Sequence, residues 1–199
     1  MCAGAATPRR RIFLSAITAW SVTLTGPAAW AVCDAPFQGD GQVSAVLDAR
    51  TLRLDDGREV RMSGIEIPQS AEIAGTAWLR DHALRQKITL HSTDDAPDRY
   101  GRQHAFVLLD GRKMALQSAL VGEGHAIVSP GPGDKTCVAE LSAAESHAES
   151  SRLGVWSQPA FVQDAKATAG ILKYIGNFAL VEGTILSARQ AGATLYLNF

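Results

Sequence analysis

The tripeptide Asp55-Asp56-Gly57 constrains this chain most, because it places a glycine where a tight hairpin needs positive φ, between the runs Thr51 to Leu54 and Glu59 to Ile65. Those runs are expected to be antiparallel neighbours. A third run, Gln42 to Leu47, precedes them across another short link, so three consecutive strands open the folded part of the chain. From Ser70 to Arg85 the pattern is helical. Ile73, Ala77 and Leu84 share one stripe, Ser70 stands where an N-cap would, and Arg80, the one charge interrupting the stripe, is expected to reach out to solvent. Ile88 to His91 and His104 to Leu109 read as two more strands flanking the polar loop DDAPDRYGR. Met114 to Gly122 and Val138 to Leu153 read as two more helices, the second stopped by Gly154 and followed by the apolar pair Val155-Trp156. The order β-β-β-α-β-β-α-α predicts a β-rich α+β domain, a small five-stranded barrel carrying three helices.

The ends of the chain behave differently. Arg9, Arg10 and Arg11 are followed by an uncharged, mostly apolar stretch from Ile12 that closes on Ala29-Trp30-Ala31, a small-x-small pattern. Residues 1–31 are therefore expected to be a signal peptide, with RRRIFL fitting either a twin-arginine or a Sec signal. The mature domain, 32–158, is expected in the periplasm or outside the cell, with no stable membrane anchor after cleavage. Without the leader, sixteen basic side chains face twenty acidic ones, a balance of minus four. Such a domain lacks the broad positive field of a sequence-independent nucleic-acid binder, so contact with a polyanion requires a local patch. Cys2 falls in the leader, which leaves Cys33 and Cys137 as an even pair in an oxidising compartment, expected to form one disulfide. Beyond Trp156, residues 159–199 form a looser segment with two strand-like runs, Phe178 to Ser187 and Thr194 to Phe199, joined by a turn through Ala191-Gly192. A lone hairpin is marginal in water, so this one is expected to dock on the barrel or to be completed by residues beyond Phe199.

Three blocks lie in the order of one family. VLDARTLRLDDGREVRMSGIEIPQ resembles the thermonuclease signature, in which a V-I-D-G-D-T strand pair leads to an R-L-x-G-I-D-A-P-E strand end. DRYGRQHAFVLLDGRKMALQSALVGEGHAIV resembles its second block, and AAESHAESSRLGVWS its closing helix and tryptophan. The resemblance to the staphylococcal-nuclease-like family implies a calcium-dependent phosphodiesterase on an OB barrel. In such an enzyme carboxylates hold a hard cation, a glutamate activates water, and two arginines neutralise charge building on the phosphate.

The resemblance places Arg61 and Arg102 at the two arginine positions, Glu66 at a metal-binding aspartate and Ile67 at a residue that offers only its carbonyl. Asp48 matches the first aspartate of D-G-D-T and is expected to act as a turn residue. The directly ligating aspartate, however, aligns with Arg50, and the water-activating glutamate with Gln69. A guanidinium has no lone pair and repels a unit charge about 4 Å away by about 4 kcal/mol. An amide takes no proton, and general base catalysis is worth about a hundred- to ten-thousandfold. The expected reading is a degenerate active site in which Arg50, Arg61 and Arg102 converge on an anion, nucleic acid or another polyanion, without calcium or other cofactor. Arg99 and Tyr100 flank that site, Tyr100 placed to stack on a base. Two alternatives stand beside it: an active nuclease in which Asp48 and Glu66 hold a displaced metal, and a scaffold that binds its partner through the C-terminal hairpin. Arg102 is alternatively expected to pair with Asp98 or Asp94. His82, His91, His104, His125 and His147 lack ligand spacing, and Trp78 and Trp156 read as core.

Overall fold

A computed structural model describes residues 35–94, 96–129, 135–159, 161–176 and 179–199. The expected leader and Cys33 lie outside them. The elements run β1 (Phe37–Val46), β2 (Thr51–Leu54), β3 (Glu59–Met62), β4 (Ile65–Glu66), α1 (Glu72–Ala83), β5 (Lys87–His91), β6 (Gln103–Leu109), α2 (Leu116–Gly122), β7 (Ile127–Val128) and α3 (Lys135–Ser150).

Strands β1-β2-β3-β6-β5 close into the expected five-stranded barrel. Gly57, at φ 90°, turns β2 into β3, which pair antiparallel with Thr51 opposite Arg61. β3 then pairs parallel with β6, Val60 with Gln103 and Met62 with Ala105. β1 serves two partners, pairing with β5 from Phe37 to Gln42 and with β2 from Val43 to Val46. It begins at Phe37 rather than at the expected Gln42, and Gly39 and Gly41 are strand residues. A Cβ on Gly41 would sit 2.9 Å from Leu54 Cδ1, so a side chain at this point of the barrel would displace Leu54. Val43, Leu52, Leu54, Val60, Met62, Ile88, Leu90 and Val107 fill the interior, each burial worth about 1.5–3 kcal/mol.

The expected strand Glu59 to Ile65 breaks at Ser63-Gly64. Gly64 has φ 77° and an added Cβ there would meet Leu141 Cδ1 at 2.7 Å, so the chain leaves the barrel and β4 pairs with β7 instead.

Helix α1 is entered through a 3-10 turn, Gln69–Ala71, and Ser70 makes no capping bond; the N-cap is Ala71. The helix buries Gly75, Leu79 and Ala83, leaves Ile73 86% exposed and Ala77 exposed, and points Arg80 to solvent. The expected stripe was thus the wrong face. Two small residues let the helix lie close to the barrel, and the larger Ile73 outweighed them in the pattern.

Helix α2 starts at Leu116, and its first turn is capped from α3: the buried Glu140 carboxylate accepts from Ala115 N–H at 3.0 Å and from the Ser118 hydroxyl at 2.6 Å. α3 ends ahead of Gly154. Arg152 takes the left-handed conformation, φ 52°, while Leu153 N–H reaches Ala148 O at 2.9 Å and Arg152 N–H reaches Glu149 O at 3.1 Å, a Schellman closure. Gly154 has a different task, since it crosses Gly124 backbone to backbone and Val155 N–H bonds Gly124 O at 2.9 Å. Beyond the crossing, Val155 joins Ala71 and Ile127 in a second small core, against which Ile67, Trp156 and Phe161 pack.

The C-terminal segment forms two small sheets. β8 (Val162–Asp164) pairs parallel with β9 (Leu180–Glu182), with the single-turn α4 (Thr168–Ile171) between them, and β10 (Ser187–Ala191) forms a hairpin with β11 (Thr194–Asn198) turning at Gly192. Of the expected strand Phe178 to Ser187, only β9 is formed before Gly183, where a Cβ would meet Ala165 Cβ at 2.5 Å, and β10 begins at Ser187; Phe178 lies outside the described residues. No helix among the described residues is long and apolar enough to cross a membrane.

Candidate functional site

The link between β1 and β2 is held from three sides. Leu47 N–H bonds Thr51 O at 2.9 Å, and the Asp48 carboxylate accepts Arg50 N–H at 2.7 Å, closing an Asx turn. α1 clamps the turn from outside: Gly75 packs on the buried Ala49, and Glu72 Oε1 accepts Ala49 N–H at 3.1 Å. This fixes the Arg50 backbone and sends its side chain across the end of the barrel. Its Nε donates to Met62 O at 2.9 Å and its Nη1 to Glu66 Oε2 at 2.7 Å, with 14% of the side chain exposed.

Asp48, Arg50, Arg61, Glu66, Ile67 and Glu72 line a pocket of about 120 Å³. Burial and the neighbouring Arg61 lower the proton affinity of Arg50, opposed by its attraction and hydrogen bond to Glu66 and by Asp48. It stays a cation, as a guanidinium in a protein does. The side chain of Arg61, half-buried, makes no hydrogen bond or ion pair among the described residues. Glu72 is the residue that the sequence reading missed. Its signal was an acidic side chain in the first turn of the helix that follows IEIPQ.

The three arginines do not share this pocket. Arg102 lies in the neighbouring loop, bound to Asp98 through Nε at 2.9 Å and Nη2 at 2.7 Å, the pairing weighed as an alternative. Asp98 also accepts the backbone N–H groups of Tyr100 and Arg102 at 2.9 and 3.0 Å. The Tyr100 ring, 65% exposed, has the guanidinium carbons of Arg99 and Arg102 at 4.8 and 4.9 Å from its centre. The hydrogen bond from the Arg102 side chain, more than any other contact, holds the Asp98 carboxyl well below the usual carboxylate range. The stability that this contact contributes is therefore present above the ordinary carboxylate pKa and is lost as pH falls through the lowered one. Followed by NMR, the Asp98 carboxyl is expected to titrate well below its ordinary range in the wild-type chain and to return toward it in Arg102→Ala.

Gln69 is exposed on the 3-10 turn and lines a different, larger cavity. Among the described residues no three His, Cys, Asp or Glu side chains form a metal-binding group. His82 stacks on Trp78 at 4.0 Å and His91 bonds Ala35 O at 3.0 Å. Cys137 is buried on α3.

The profile of the staphylococcal nuclease homologues matches residues 59–158. A thermonuclease of Staphylococcus intermedius is 26% identical over 128 residues, covering 58% of this chain and 75% of that protein. A micrococcal nuclease of Shigella flexneri is 28% identical over 158 residues, covering 73% of this chain and 86% of that protein.

Proposed function

Because the chain belongs to the staphylococcal nuclease homologues, we propose that it is an exported family member that binds a phosphodiester of nucleic acid without a divalent ion and cleaves it poorly or not at all. The observation that carries this reading is the seat of the Arg50 guanidinium, between Met62 O and Glu66 Oε2. Calcium takes six to eight oxygen ligands. In this pocket the Asp48 carboxylate holds Arg50 N–H, that of Glu66 holds the guanidinium and that of Glu72 holds Ala49 N–H, while a fixed positive charge stands among them. At about 4 kcal/mol, the repulsion amounts to about a thousandfold in affinity. This donor set does not fit calcium.

Arg61 is the pocket's anion-binding group: half-buried, without a protein partner among the described residues, and beside a second guanidinium. A phosphate oxygen there receives a charge-assisted hydrogen bond. The exposed Tyr100 and Arg99 extend the surface toward a base.

In EDTA-containing buffer, the mature protein is expected to bind a labelled single-stranded oligonucleotide with affinity that falls as salt rises. Arg61→Ala is expected to weaken binding about tenfold or more, the loss of a charged hydrogen bond. Fluorescence anisotropy reads both, and a wild-type chain without salt-dependent binding sinks the proposal.

The similarity to two proteins named as nucleases favours a second reading, an active enzyme with altered metal ligands. Metal-dependent cleavage that Gln69→Ala and Arg102→Ala each abolish would establish it. Export through the residue 1–31 leader into the periplasm or medium, and a Cys33–Cys137 disulfide anchored in α3, belong to the same proposal; the burial of Cys137 supports a structural role for that thiol.

A further inference from the structure

We propose that the C-terminal segment builds a second nucleotide subsite beside the phosphate pocket, so that this protein grips a strand of two or more nucleotides. The inference rests on the phosphodiester-binding reading and goes beyond it. The two sites are joined through one stretch of chain: Ile67 lines the phosphate pocket, and Pro68 and Gln69 line a cavity of about 370 Å³. Two residues of extended chain separate Ile67 from Gln69 by at most about 7–8 Å, so a ligand seated on Arg61 has its neighbouring unit within reach of the cavity. The volume lies within the range of ligand sites, about 300–1,000 Å³.

The far wall comes from beyond the barrel. Phe161, Lys173, Tyr174 and Leu180 line the cavity together with Gln69 and Gln158. Phe161 is fixed edge-on against Trp156, with ring centres 5.2 Å apart and planes at 82°, and both pack on the small core that holds Ile67. Parallel pairing of β8 with β9 brings Phe161 and Leu180, distant in sequence, to the same wall.

The chemistry of this lining differs from that of the phosphate pocket. The smaller pocket carries three carboxylates against two guanidiniums. Among the described residues lining the larger cavity there is no carboxylate, and Lys173 is the one charge. Aromatic rings for stacking, amides for base edges and an ammonium for the backbone suit a nucleobase with its phosphate. Gln69, useless as a proton acceptor, becomes a binding residue at the junction.

The test compares two probes by anisotropy and calorimetry, a nucleoside 3′,5′-bisphosphate and a labelled tetranucleotide. Lys173→Glu and Tyr174→Ser are expected to weaken the tetranucleotide about tenfold or more and to leave the bisphosphate unchanged. Tyr174→Phe, which keeps the ring, is expected to bind both probes as the wild-type chain does. Arg61→Ala is expected to weaken both. Unchanged tetranucleotide affinity in both Lys173→Glu and Tyr174→Ser overturns the subsite, as does a wild-type chain that binds the two probes equally; in either case the phosphodiester reading stands. A wild-type chain that binds neither probe overturns that reading and the subsite with it.

Discussion

In calcium-containing buffer the double variant Arg50→Asp, Gln69→Glu is expected to cut single-stranded DNA at least about a hundredfold faster than the wild-type chain, the low end of what a general base supplies. Each single substitution is expected to leave cleavage near background. Arg50→Asp alone removes the guanidinium and frees the Glu66 carboxylate that it occupies at 2.7 Å, but leaves an amide at Gln69, the position that the family resemblance gives to the water-activating glutamate. Gln69→Glu alone supplies that acceptor while Arg50 still stands among the carboxylates. Groups that act as a unit give strongly non-additive effects, so the double variant separates this account from one in which each residue contributes independently. Initial rates on a fluorogenic oligonucleotide, with calcium and with EDTA, decide it. A wild-type rate equal to that of the double variant refutes it.

Gly124→Ala is expected to cost more than about 3 kcal/mol of stability and about 10 °C of melting temperature. An added Cβ would lie 2.2 Å from Leu153 O and 2.6 Å from Leu153 C, at a φ of 71°. Left-handed strain at a residue with a side chain costs about 1–3 kcal/mol. Forcing the strands of the crossing apart also breaks the Val155 N–H to Gly124 O bond, worth about another 1 kcal/mol. Gly57→Ala is the control: its φ is 90°, but nothing lies within 4 Å of the added Cβ, so strain alone should appear. Thermal melts followed by circular dichroism measure both, and equal melting temperatures would show that the crossing relaxes. The consequence extends to the pocket, because Val155 belongs to the core on which Ile67 packs.

The barrel was legible because its signals are local. A glycine after two aspartates, apolar alternation and short links bring neighbouring strands together without reference to the rest of the chain. The first strand was read without its opening half, where two glycines, Gly39 and Gly41, interrupt any apolar alternation, although Gly41 packs closely against the Leu54 side chain. Helix α1 was found but rotated, since the face made of Gly75, Leu79 and Ala83 is weaker in any hydropathy count than one containing Ile73. At the site, the residue types were readable from the family pattern and their partners were not. Arg50 and Glu66 are sixteen positions apart and meet only after β3 and β4 have separated at Gly64. Arg102 and Asp98, four positions apart within one loop, were paired correctly among the alternatives. Arg102 is tied to a carboxylate of its own loop while it also feels the charge of Asp48 in the pocket, a tie that the family pattern does not carry.

Parallel pairing of β3 with β6 makes the binding pocket depend on residues that contribute nothing to its lining. Every side chain around Arg61 lies between Asp48 and Glu72, yet the hydrogen-bonding edge of β3 beyond Val60 is met only by Gln103 to Ala105. A nascent chain that has emerged through β5 thus carries the whole lining of the Arg61 pocket on an unsealed ribbon. Recognition is acquired only when the seventh decade of the sequence finds the eleventh, a long-range closure that limits how fast the protein becomes competent.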